Sequence, residues 1–414
     1  MEALSNLRTR YAFVQGNFLL LTITWILMNF AGPIPQTYAS LYFKRLGADD
    51  FMLSVIGFAG TIAIALVQFP GGYLADKHGR RWLVFTMTFG VALAYIFFIF
   101  APSWHFIIIG AMIQNLCLLY QPALFAIMLD SVSPENRGAG YTLQSVITSL
   151  ASIPASIIAG IIILAFDLDL GMRIAYTIVM VFYLAAAVIR VKLKETLSNN
   201  SGNSHPNFID ALREYPKAVR EGLHVWRLVP KSTFYLFIAT AGVSSLVSGC
   251  NIYFVVYATG ILGLEQFSWA LVLAIMSLTV AGPTILAGYL MDRIGRKRPL
   301  ILGFLLYIPA MLLFINANST TIYIAFFFFG LGQTLQWTSY QSLLGDLTPR
   351  NLRGKVVGCS QFFTYLSQAL TLLVVGALYA YVSPQLPFLL LAAFATPLSL
   401  LVLLKVSDPK TKEI

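Results

Sequence analysis

The sequence is poor in charge. Charged residues make up 11% of its 414 residues, whereas apolar residues make up 58%. A soluble domain carries about 25% charged residues, because its surface must be solvated by water. A chain with so little charge cannot cover a water-facing surface. The composition therefore excludes an ordinary soluble protein and indicates a polytopic membrane protein.

Cysteine is equally scarce. The three cysteines, Cys117, Cys250 and Cys359, are far apart and lie inside apolar stretches, and the sequence has no CxxC pair or other metal-ligand spacing. We therefore expect free, buried thiols, no bound metal and no cofactor. The net charge of +10 does not predict a nucleic-acid partner, because the distribution of the basic residues has a simpler origin in membrane topology.

Twelve apolar runs are long enough to cross a bilayer. A spanning helix needs about 20 mostly apolar residues, since the hydrocarbon core is about 30 Å thick and a helix rises about 1.5 Å per residue. The runs cover residues 14–43, 51–75, 82–101, 104–129, 139–165, 171–191, 232–259, 266–291, 299–316, 320–345, 354–382 and 385–405. They predict an all-α polytopic membrane protein with twelve transmembrane helices and both termini on one side.

The basic residues predict which side that is. If the N-terminus, every second loop and the C-terminus face the cytoplasm, all 27 lysines and arginines lie on the cytoplasmic side except Lys44, Arg45 and Arg173. This is the bias that the positive-inside rule describes. We expect a multi-pass protein of the plasma membrane with cytoplasmic N- and C-termini.

One long polar stretch divides the twelve runs into two sets of six. It contains SNNSGNSHPN, the composition of a flexible linker. The predicted domains are an N-terminal six-helix bundle at 1–195, a cytoplasmic linker at 196–231 and a C-terminal six-helix bundle at 232–414. Apolar side chains of the linker recur on one helical face, at Phe208, Leu212, Val219, Leu223 and Trp226. They predict either an amphipathic helix on the inner membrane surface, anchored by Trp226, or a plain solvated helix.

The two sets of runs are related by an internal repeat at an offset of 216 residues. GYLADKHGRR (Gly72–Arg81) lies over GYLMDRIGRK (Gly288–Lys297), and Asp130 falls on Asp346 at the same offset. Because two separate loops keep the same offset, we predict two copies of one six-helix fold, arranged as two pseudo-symmetric bundles. Parallel repeats with a central site between them serve alternating access.

The repeated loops resemble the signature of the major facilitator superfamily, G-x-L-x-D-R-x-G-R-[K/R]. Gly288–Lys297 matches it fully, and Gly72–Arg81 departs from it only at Lys77. The resemblance covers essentially the whole chain and implies a transporter whose central cavity is lined by spans one, four, seven and ten. In that family, the Asp of the signature faces the start of a helix in the opposite half, and its Arg pairs with an Asp of span four.

The resemblance therefore implies a conformational latch at the inner face of each half. Its residues are Gly72, Asp76, Gly79, Arg80, Arg81, Asp130 and Arg137 in the first half, and Gly288, Asp292, Gly295, Arg296, Lys297, Asp346 and Arg353 in the second. We expect the signature Arg of each half to pair with the Asp at the end of span four or span ten. In the alternative interpretation these charges only fix the topology, which explains the arginines but not the aspartates.

No charged residue falls in the middle of a predicted span. A charge there costs about 2.5–3.5 kcal/mol on insertion scales, and such residues usually serve ions or charged substrates. The spans carry amides and aromatic residues at helical spacing instead. The cavity candidates are Asn29, Gln36, Gln114, Gln121, Gln144, Asn251, Gln333, Gln336, Trp337, Tyr340, Gln361 and Tyr365. Such a lining suits a neutral or amphipathic organic molecule; alternatively, these groups make hydrogen bonds between helices.

We therefore expect a secondary active transporter of a small neutral or amphipathic organic molecule. KET (Lys194–Thr196) after span six resembles a tail of drug and metabolite exporters, whereas the exporters' glycine-proline motif is missing around Pro154. Export is the first hypothesis, and uptake of a neutral solute such as a sugar is the alternative. A membrane-embedded lipid-modifying enzyme would need an acid, base, nucleophile or metal constellation that the sequence lacks, so we expect no enzyme.

The lack of a central carboxylate also bears on coupling. A coupling proton or other ion would have to use peripheral groups such as Asp49, Asp50, Asp167 or Asp169; otherwise transport is not driven by protons. We expect a monomer whose partners are its small-molecule substrate and the lipid bilayer.

Overall fold

The computed structural model describes residues 14–133, 137–196, 216, 220, 223–349 and 352–407. Within these ranges, the side chains at 69–78, 137–139, 141–142 and 283–293 lie outside the description. Every regular element of the described part is helical, which confirms the predicted all-α class.

The first half holds helices α1 to α6. Their bounds are Gly16–Ala31, Pro33–Gln36 and Ala39–Arg45 for α1, Asp50–His78 for α2, Arg80–Ala94 and Ile96–Ile99 for α3, and Trp104–Cys117 and Gln121–Asp130 for α4. A 3₁₀ turn, Leu118–Tyr120, joins the two parts of α4. Helices α5 and α6 share the stretch Arg137–Arg190 and are divided at Asp167, whose φ is 65°.

The second half holds helices α7 to α12. Their bounds are Lys231–Gly260 for α7, Gln266–Ile294 for α8, Lys297–Leu305 and Tyr307–Phe314 for α9, Thr321–Leu347 for α10, Arg353–Tyr381 for α11 and Leu386–Lys405 for α12. A short helix at 223–228, the linker helix, precedes α7.

The helix bounds follow the sequence repeat. Helix α2 starts at Asp50 and α8 at Gln266, one repeat offset apart, and α5 and α11 start with the same spacing. Helices α2 and α8 end at Gly79 and Gly295, whose φ angles are 90° and 83°. Side chains are disfavoured in this left-handed region, so a glycine is what lets the chain turn at both copies of the signature.

Helix α1 is interrupted inside the bundle. Pro33 and Pro35 lack the N–H that would continue the helical hydrogen bonds, and the chain turns at Thr37 and Tyr38 before the helix resumes. The Thr37 hydroxyl donates to the Pro33 carbonyl at 3.3 Å. Interruptions of this kind are tolerated in membrane helices where side chains satisfy the freed backbone groups.

Nine of the described helices are long and apolar enough to cross a membrane, with Arg137–Arg190 counted once. The apolar part of Gln266–Ile294 is shorter, and Thr321–Leu347 is not among the nine. Its glutamines, Gln333 and Gln336, lower the mean hydropathy of that helix. The all-α membrane fold is shown, and the exact number of twelve crossings stays a prediction.

Large apolar side chains cover the outside of the bundle. Leu164, Leu404 and Phe100 are exposed by 76%, 74% and 71%. A water-soluble surface would not carry so many exposed apolar groups, whereas hydrocarbon solvates them without cost. The outside is therefore the face that contacts lipid.

We name the two ends of the bundle after the predicted topology. The inner end is where α1 starts and α12 ends, and the outer end is opposite. The two halves pack against each other through α2 with α11 and through the α5–α6 stretch with α8. These contacts leave a central space between the halves.

Candidate functional site

Four side-chain-to-backbone hydrogen bonds of the described residues join the two halves at the outer end. In each of them a side chain of one half donates to a backbone carbonyl of the other. The pairs are Tyr38 Oη to Gln266 O (2.5 Å), Ser40 Oγ to Ile252 O (2.7 Å), Tyr253 Oη to Asp50 O (2.8 Å) and Trp269 Nε1 to Thr37 O (3.1 Å). Each half supplies two of the four donors. We call this set of hydrogen bonds the outer closure.

Helix α11 contacts the other half closely at its outer end, and the described residues show no such contact at the glycines of its inner end. A Cβ added to Gly376 of α11 would overlap the Ser54 hydroxyl of α2. Near the inner end of the same helix, a Cβ on Gly354 or Gly358 would meet nothing within 4 Å. In the described part of the chain, the outer end is closed, whereas nothing packs on Gly354 or Gly358 at the inner end of α11. Under the predicted topology, this is an inward-facing arrangement.

A cavity of about 360 Å³ lies beneath the outer closure. Its walls come from α1, α2, α3, α4 and α6 of the first half and from α7 and α11 of the second. The polar lining residues are Gln36, Ser40, Thr61, Tyr95, Gln114, Asn115, Tyr176, Asn251, Tyr365 and Gln368. None of the described lining residues is charged, so the cavity offers hydrogen bonds but no counter-charge.

Tyrosines form the first-half wall of this cavity. The Tyr95 ring lies 6.1 Å from the Tyr176 ring and packs edge-on against Tyr183 at 5.5 Å. Gln114 Nε2 donates to the Tyr95 hydroxyl at 2.8 Å. This bond fixes the amide, and it leaves Gln114 Oε1 as an acceptor that no other described hydrogen bond uses.

Four of the predicted cavity residues come together in this lining. They are Gln36, Gln114, Asn251 and Tyr365. Gln368 lies on the helical stripe that the sequence shows at Gln361 and Tyr365. Asn115 follows Gln114 directly, so it lies about 100° away around the helix and helical periodicity does not find it. Tyr95 and Tyr176 carried no such signal, because tyrosine is common throughout the chain.

The remaining cavity candidates lie elsewhere. Asn29 Nδ2 donates to the Trp25 carbonyl of its own helix at 2.9 Å. Gln336 is buried; its Oε1 accepts from the Tyr307 hydroxyl at 2.7 Å, and its Nε2 donates to the Ser244 hydroxyl at 2.9 Å. Its polar atoms thus tie α10 to α9 and α7. Also outside the lining are Gln121, Gln144, Gln333, Trp337, Tyr340 and Gln361, whose role in binding stays a prediction.

At the inner end, the first-half signature is part of a charged network. Arg80 and Asp130 form an ion pair at 2.5 Å. The Arg81 backbone N–H donates to Glu195 Oε2 at 3.1 Å, and its guanidinium donates to the Val191 carbonyl at 2.7 Å. The carboxylate therefore holds the start of α3, and the guanidinium caps the end of α6. Glu195 belongs to KET but was not among the predicted site residues.

The second-half signature has the same ion pair in a simpler setting. Arg296 pairs with Asp346 and also donates to the Ser342 carbonyl at 3.3 Å. Lys297 Nζ donates to the Leu403 carbonyl at 2.8 Å, close to the end of α12. The last residue of each signature, Arg81 or Lys297, thus caps the last helix of its own half.

Part of the predicted latch falls outside the described side chains, namely Gly72, Asp76, Arg137, Gly288 and Asp292. Arg353, which starts α11, donates from Nε to the Thr348 carbonyl at 3.1 Å. The expected Arg–Asp pairs are present in both halves, and their action as a latch stays a prediction.

One buried charge had no counterpart among the sequence predictions. Arg190 of α6 is fully buried, and it donates to the Thr24 hydroxyl at 3.2 Å and the Thr88 hydroxyl at 2.8 Å. Its guanidinium lies 5.3 Å from the centre of the Tyr120 ring. Within the described part of the chain, no carboxylate pairs with it and its Nη2 has no hydrogen-bond partner. In the sequence analysis, the positive-inside rule accounted for Arg190 as a basic residue at the cytoplasmic end of span six. It was therefore not predicted as a buried charge.

The depth of this guanidinium is unusual. Thr24 lies eight residues after the first residue of α1, Gly16, which corresponds to about 12 Å along the helix axis. The positive charge therefore lies well inside the bundle, where a charge is costly and commonly functional.

The family profile described as Major Facilitator Superfamily matches residues 13–310 and 271–414. An uncharacterized MFS-type transporter of Methanocaldococcus jannaschii is 20% identical over 401 residues, which cover 94% of this chain and 95% of that protein. The multi-drug resistance efflux pump PmrA homolog of Lactococcus lactis is 23% identical over 380 residues, covering 88% and 89%. The multidrug resistance protein MdtL of Shewanella oneidensis is 23% identical over 310 residues, covering 74% and 72%.

Solved structures share the fold at low sequence identity. The nucleoside transporter NupG superposes with a TM-score of 0.73 at 12% identity, covering 95% of this chain and 100% of that one. A bacterial homolog of the human lysosomal transporter Spinster, in an inward-facing and occupied conformation, gives a TM-score of 0.72 at 13% identity, covering 94% and 96%.

Proposed function

The chain belongs to the Major Facilitator Superfamily, and we propose that it is a secondary active transporter of a small, neutral or amphipathic organic molecule. One observation carries this proposal. The cavity beneath the outer closure is lined by amides, hydroxyls and tyrosines, and its described lining residues include no charged side chain.

This lining limits the class of substrate. An ion buried without a partner costs several kcal/mol, whereas neutral donors and acceptors are satisfied by amides. Gln114, Asn251 and Gln368 each offer both donors and acceptors, and Tyr95 and Tyr365 add aromatic faces. A volume of about 360 Å³ lies within the usual range of small-molecule sites, about 300–1,000 Å³.

The two ends of the bundle support transport by alternating access. The outer end is closed by hydrogen bonds between the halves, whereas the Arg–Asp pairs of the signatures lie at the inner end. In the proposed cycle, the outer hydrogen bonds break as the inner latch forms, and the cavity changes the side from which it is reached.

We propose export as the direction. Relatives that carry the words multidrug resistance and efflux in their names support it, and an inward-facing cavity loads from the cytoplasm. Uptake of a neutral solute such as a sugar is the second candidate, because amides and hydroxyls match sugar hydroxyls. A lipid-modifying enzyme finds no support among the relatives, which are transporters.

The setting of the transporter is also a proposal. We place it in the plasma membrane as a monomer with cytoplasmic termini, coupled to a proton or another ion. The peripheral carboxylates that could serve such coupling lie at the outer end, where Asp50 pairs with Lys44 at 2.6 Å and Asp169 with Arg173 at 3.3 Å. Flux driven by an imposed pH gradient, with and without these carboxylates, would test that part.

Purified protein in proteoliposomes tests the cavity. Neutral organic compounds are screened by thermal shift, and flux is measured for any that bind. Asn251→Leu replaces a cavity amide by an apolar side chain of similar size, and Gln15→Leu makes the same kind of exchange at an exposed position before α1, outside the cavity. Because an unmet hydrogen bond costs about 1–3 kcal/mol, we expect N251L to weaken binding about tenfold and Q15L to leave it unchanged. Equal losses in both variants would remove this cavity as the binding site.

A further inference from the structure

A second and larger pocket lies at the inner end, outside the transport cavity. Its volume is about 770 Å³, and it opens between the linker helix and the start of α11. Its lining residues are Arg220, Leu223, His224, Val225, Arg227, Leu228, Leu352 and Lys355. Three of them are permanent cations and four are aliphatic, so the pocket is cationic and apolar at once.

The wall formed by the linker helix is anchored to the bundle. The Trp226 ring stacks on Phe237 of α7 at 4.6 Å and packs edge-on against Phe234 at 5.7 Å. Val225 and Val229 are buried. The predicted membrane anchor, Trp226, thus packs on α7, and the helix is held in place by contacts that do not use its cations.

The cations of the pocket are available to a ligand. In the described part of the chain, no ion pair involves Arg220, Arg227 or Lys355. Leu223 and Leu228, in the same wall, are exposed by 53% and 55%. At the edge of a membrane bundle, exposed aliphatic groups suit the acyl chains of a phospholipid, and cations without a described ion pair suit its headgroup phosphate.

The start of α11 adds an independent anion-binding element. No described side chain caps this 29-residue helix at Leu352, so its first N–H groups lack helical acceptors. The aligned peptide dipoles also place partial positive charge there. Lys355 lies in this first turn, and a Cβ on Gly354 would meet nothing within 4 Å. No described atom occupies the space next to Gly354.

We propose that this pocket binds an anionic phospholipid of the adjacent leaflet. The headgroup phosphate would lie between Lys355, Arg227 and the start of α11, and an acyl chain would follow Leu223 and Leu228. A soluble anion would use only the cations and the helix start, whereas a lipid also covers the aliphatic wall. Since α11 carries Tyr365 and Gln368 of the transport cavity, a bound lipid would steady one wall of that cavity. The proposal does not depend on which substrate is carried.

Thermal shift and native mass spectrometry of the full chain in detergent test this proposal. Phosphatidylglycerol is titrated as the probe, with phosphatidylcholine and inorganic phosphate as separate arms. We expect phosphatidylglycerol to bind and to raise the Tm, and the other two to do so at least tenfold more weakly. Stabilisation by inorganic phosphate at the same concentration would replace the lipid by a soluble anion and overturn the proposal.

Charge variants locate the site. A cation near an anionic membrane surface contributes about fivefold in affinity, so R227Q and K355Q should each weaken phosphatidylglycerol binding about fivefold, and the double variant about 25-fold. The control R298Q/K405Q removes two exposed cations of the inner end that do not line the pocket and should change binding less than about threefold. If the double variant cannot be purified, the single variants decide. Equal losses in control and pocket variants would contradict the site.

Discussion

The two halves share one helical plan but bury different chemistry. The second half packs phenylalanines around Phe254, with ring centroids 5.1–5.5 Å away at Phe314, Phe326, Phe329 and Phe388. The first half buries tyrosines around Tyr95, and it also buries the guanidinium of Arg190. Hydrocarbon rings pack without polar partners, whereas hydroxyls and a guanidinium require them. Both halves bury tyrosines and hydroxyls, so among the described residues they differ in the phenylalanine cluster of the second half and the buried cation of the first.

The repeat offset allows the two halves to be compared position by position. The offset pairs are Arg190 and Val406, Tyr183 and Ser399, and Thr24 and Thr240. Thr24 accepts a hydrogen bond from Arg190, whereas in the described part of the chain the hydroxyls of Thr240 and Ser399 have no partner. At these offset positions the second half has two buried hydroxyls and no cation. A repeat thus predicts the helices of both halves, but not a shared site.

Arg190→Ala should have the largest effect on stability, and it tests whether the first half depends on its buried cation. It removes a fully buried side chain, two hydrogen bonds and a ring contact, which we expect to cost about 3–5 kcal/mol of stability. Val406→Ala, at the offset position, should cost about 2 kcal/mol, since it removes a smaller apolar group. The measurement is the Tm of each variant in detergent, and the fall for R190A should be at least twice that for V406A. Similar falls would mean that the first-half interior has no special dependence on its cation.

The sequence predicted those features that depend on local pattern. Helix positions follow from apolar length, and the turns at Gly79 and Gly295 follow from the glycines of the signature. The Arg–Asp pairs, which join two helices, were implied by the resemblance to the family and not by local pattern. Hydropathy and glycine act within one helix or one loop, so no tertiary information is needed to read them.

The lining of the cavity could not be predicted in the same way. Whether an amide faces the cavity or a neighbouring helix depends on helix rotation and on which end is closed. Gln114 and Gln336 show this, since both are amides on cavity-lining helices of the family pattern. Gln114 lines the cavity, whereas Gln336 bonds to Tyr307 and Ser244.

The second prediction compares substitutions of these two glutamines, one in each half. Gln114→Ala should weaken substrate binding about ten- to thirtyfold, because a lining amide is lost and the Tyr95 hydroxyl loses one of its hydrogen bonds. Gln336→Ala should leave binding unchanged but lower the Tm more, because it leaves the buried Tyr307 hydroxyl without its acceptor. Binding is measured by ligand-induced thermal shift and stability by the unliganded Tm. The reverse pattern would move the binding site into the second half.

The third prediction concerns a feature that the halves have in common. Asp130→Asn and Asp346→Asn each remove the carboxylate that pairs with a signature arginine. Partly exposed pairs contribute only about 0–1 kcal/mol to stability, so the Tm should change little. If the pairs serve the latch, flux should fall about tenfold in both variants, measured on correctly inserted protein in proteoliposomes. Wild-type flux in both variants would mean that the aspartates have no role in the transport cycle. A loss of flux in one variant alone would mean that only that half has a working latch.

The smallest effect is expected at the outer closure, where each half supplies two donors. Tyr38→Phe removes a first-half donor to the Gln266 carbonyl, and Tyr253→Phe removes a second-half donor to the Asp50 carbonyl. One neutral hydrogen bond contributes about 1 kcal/mol, so each variant should shift the equilibrium about fivefold toward the outward-open state. Labelling of a cysteine placed in the cavity by a reagent added from outside measures this shift. Matching shifts would show that the halves act equally in closing the outer end, although they differ in binding. A much larger shift for Tyr38→Phe would instead mean that the first half dominates closure as well as the cavity.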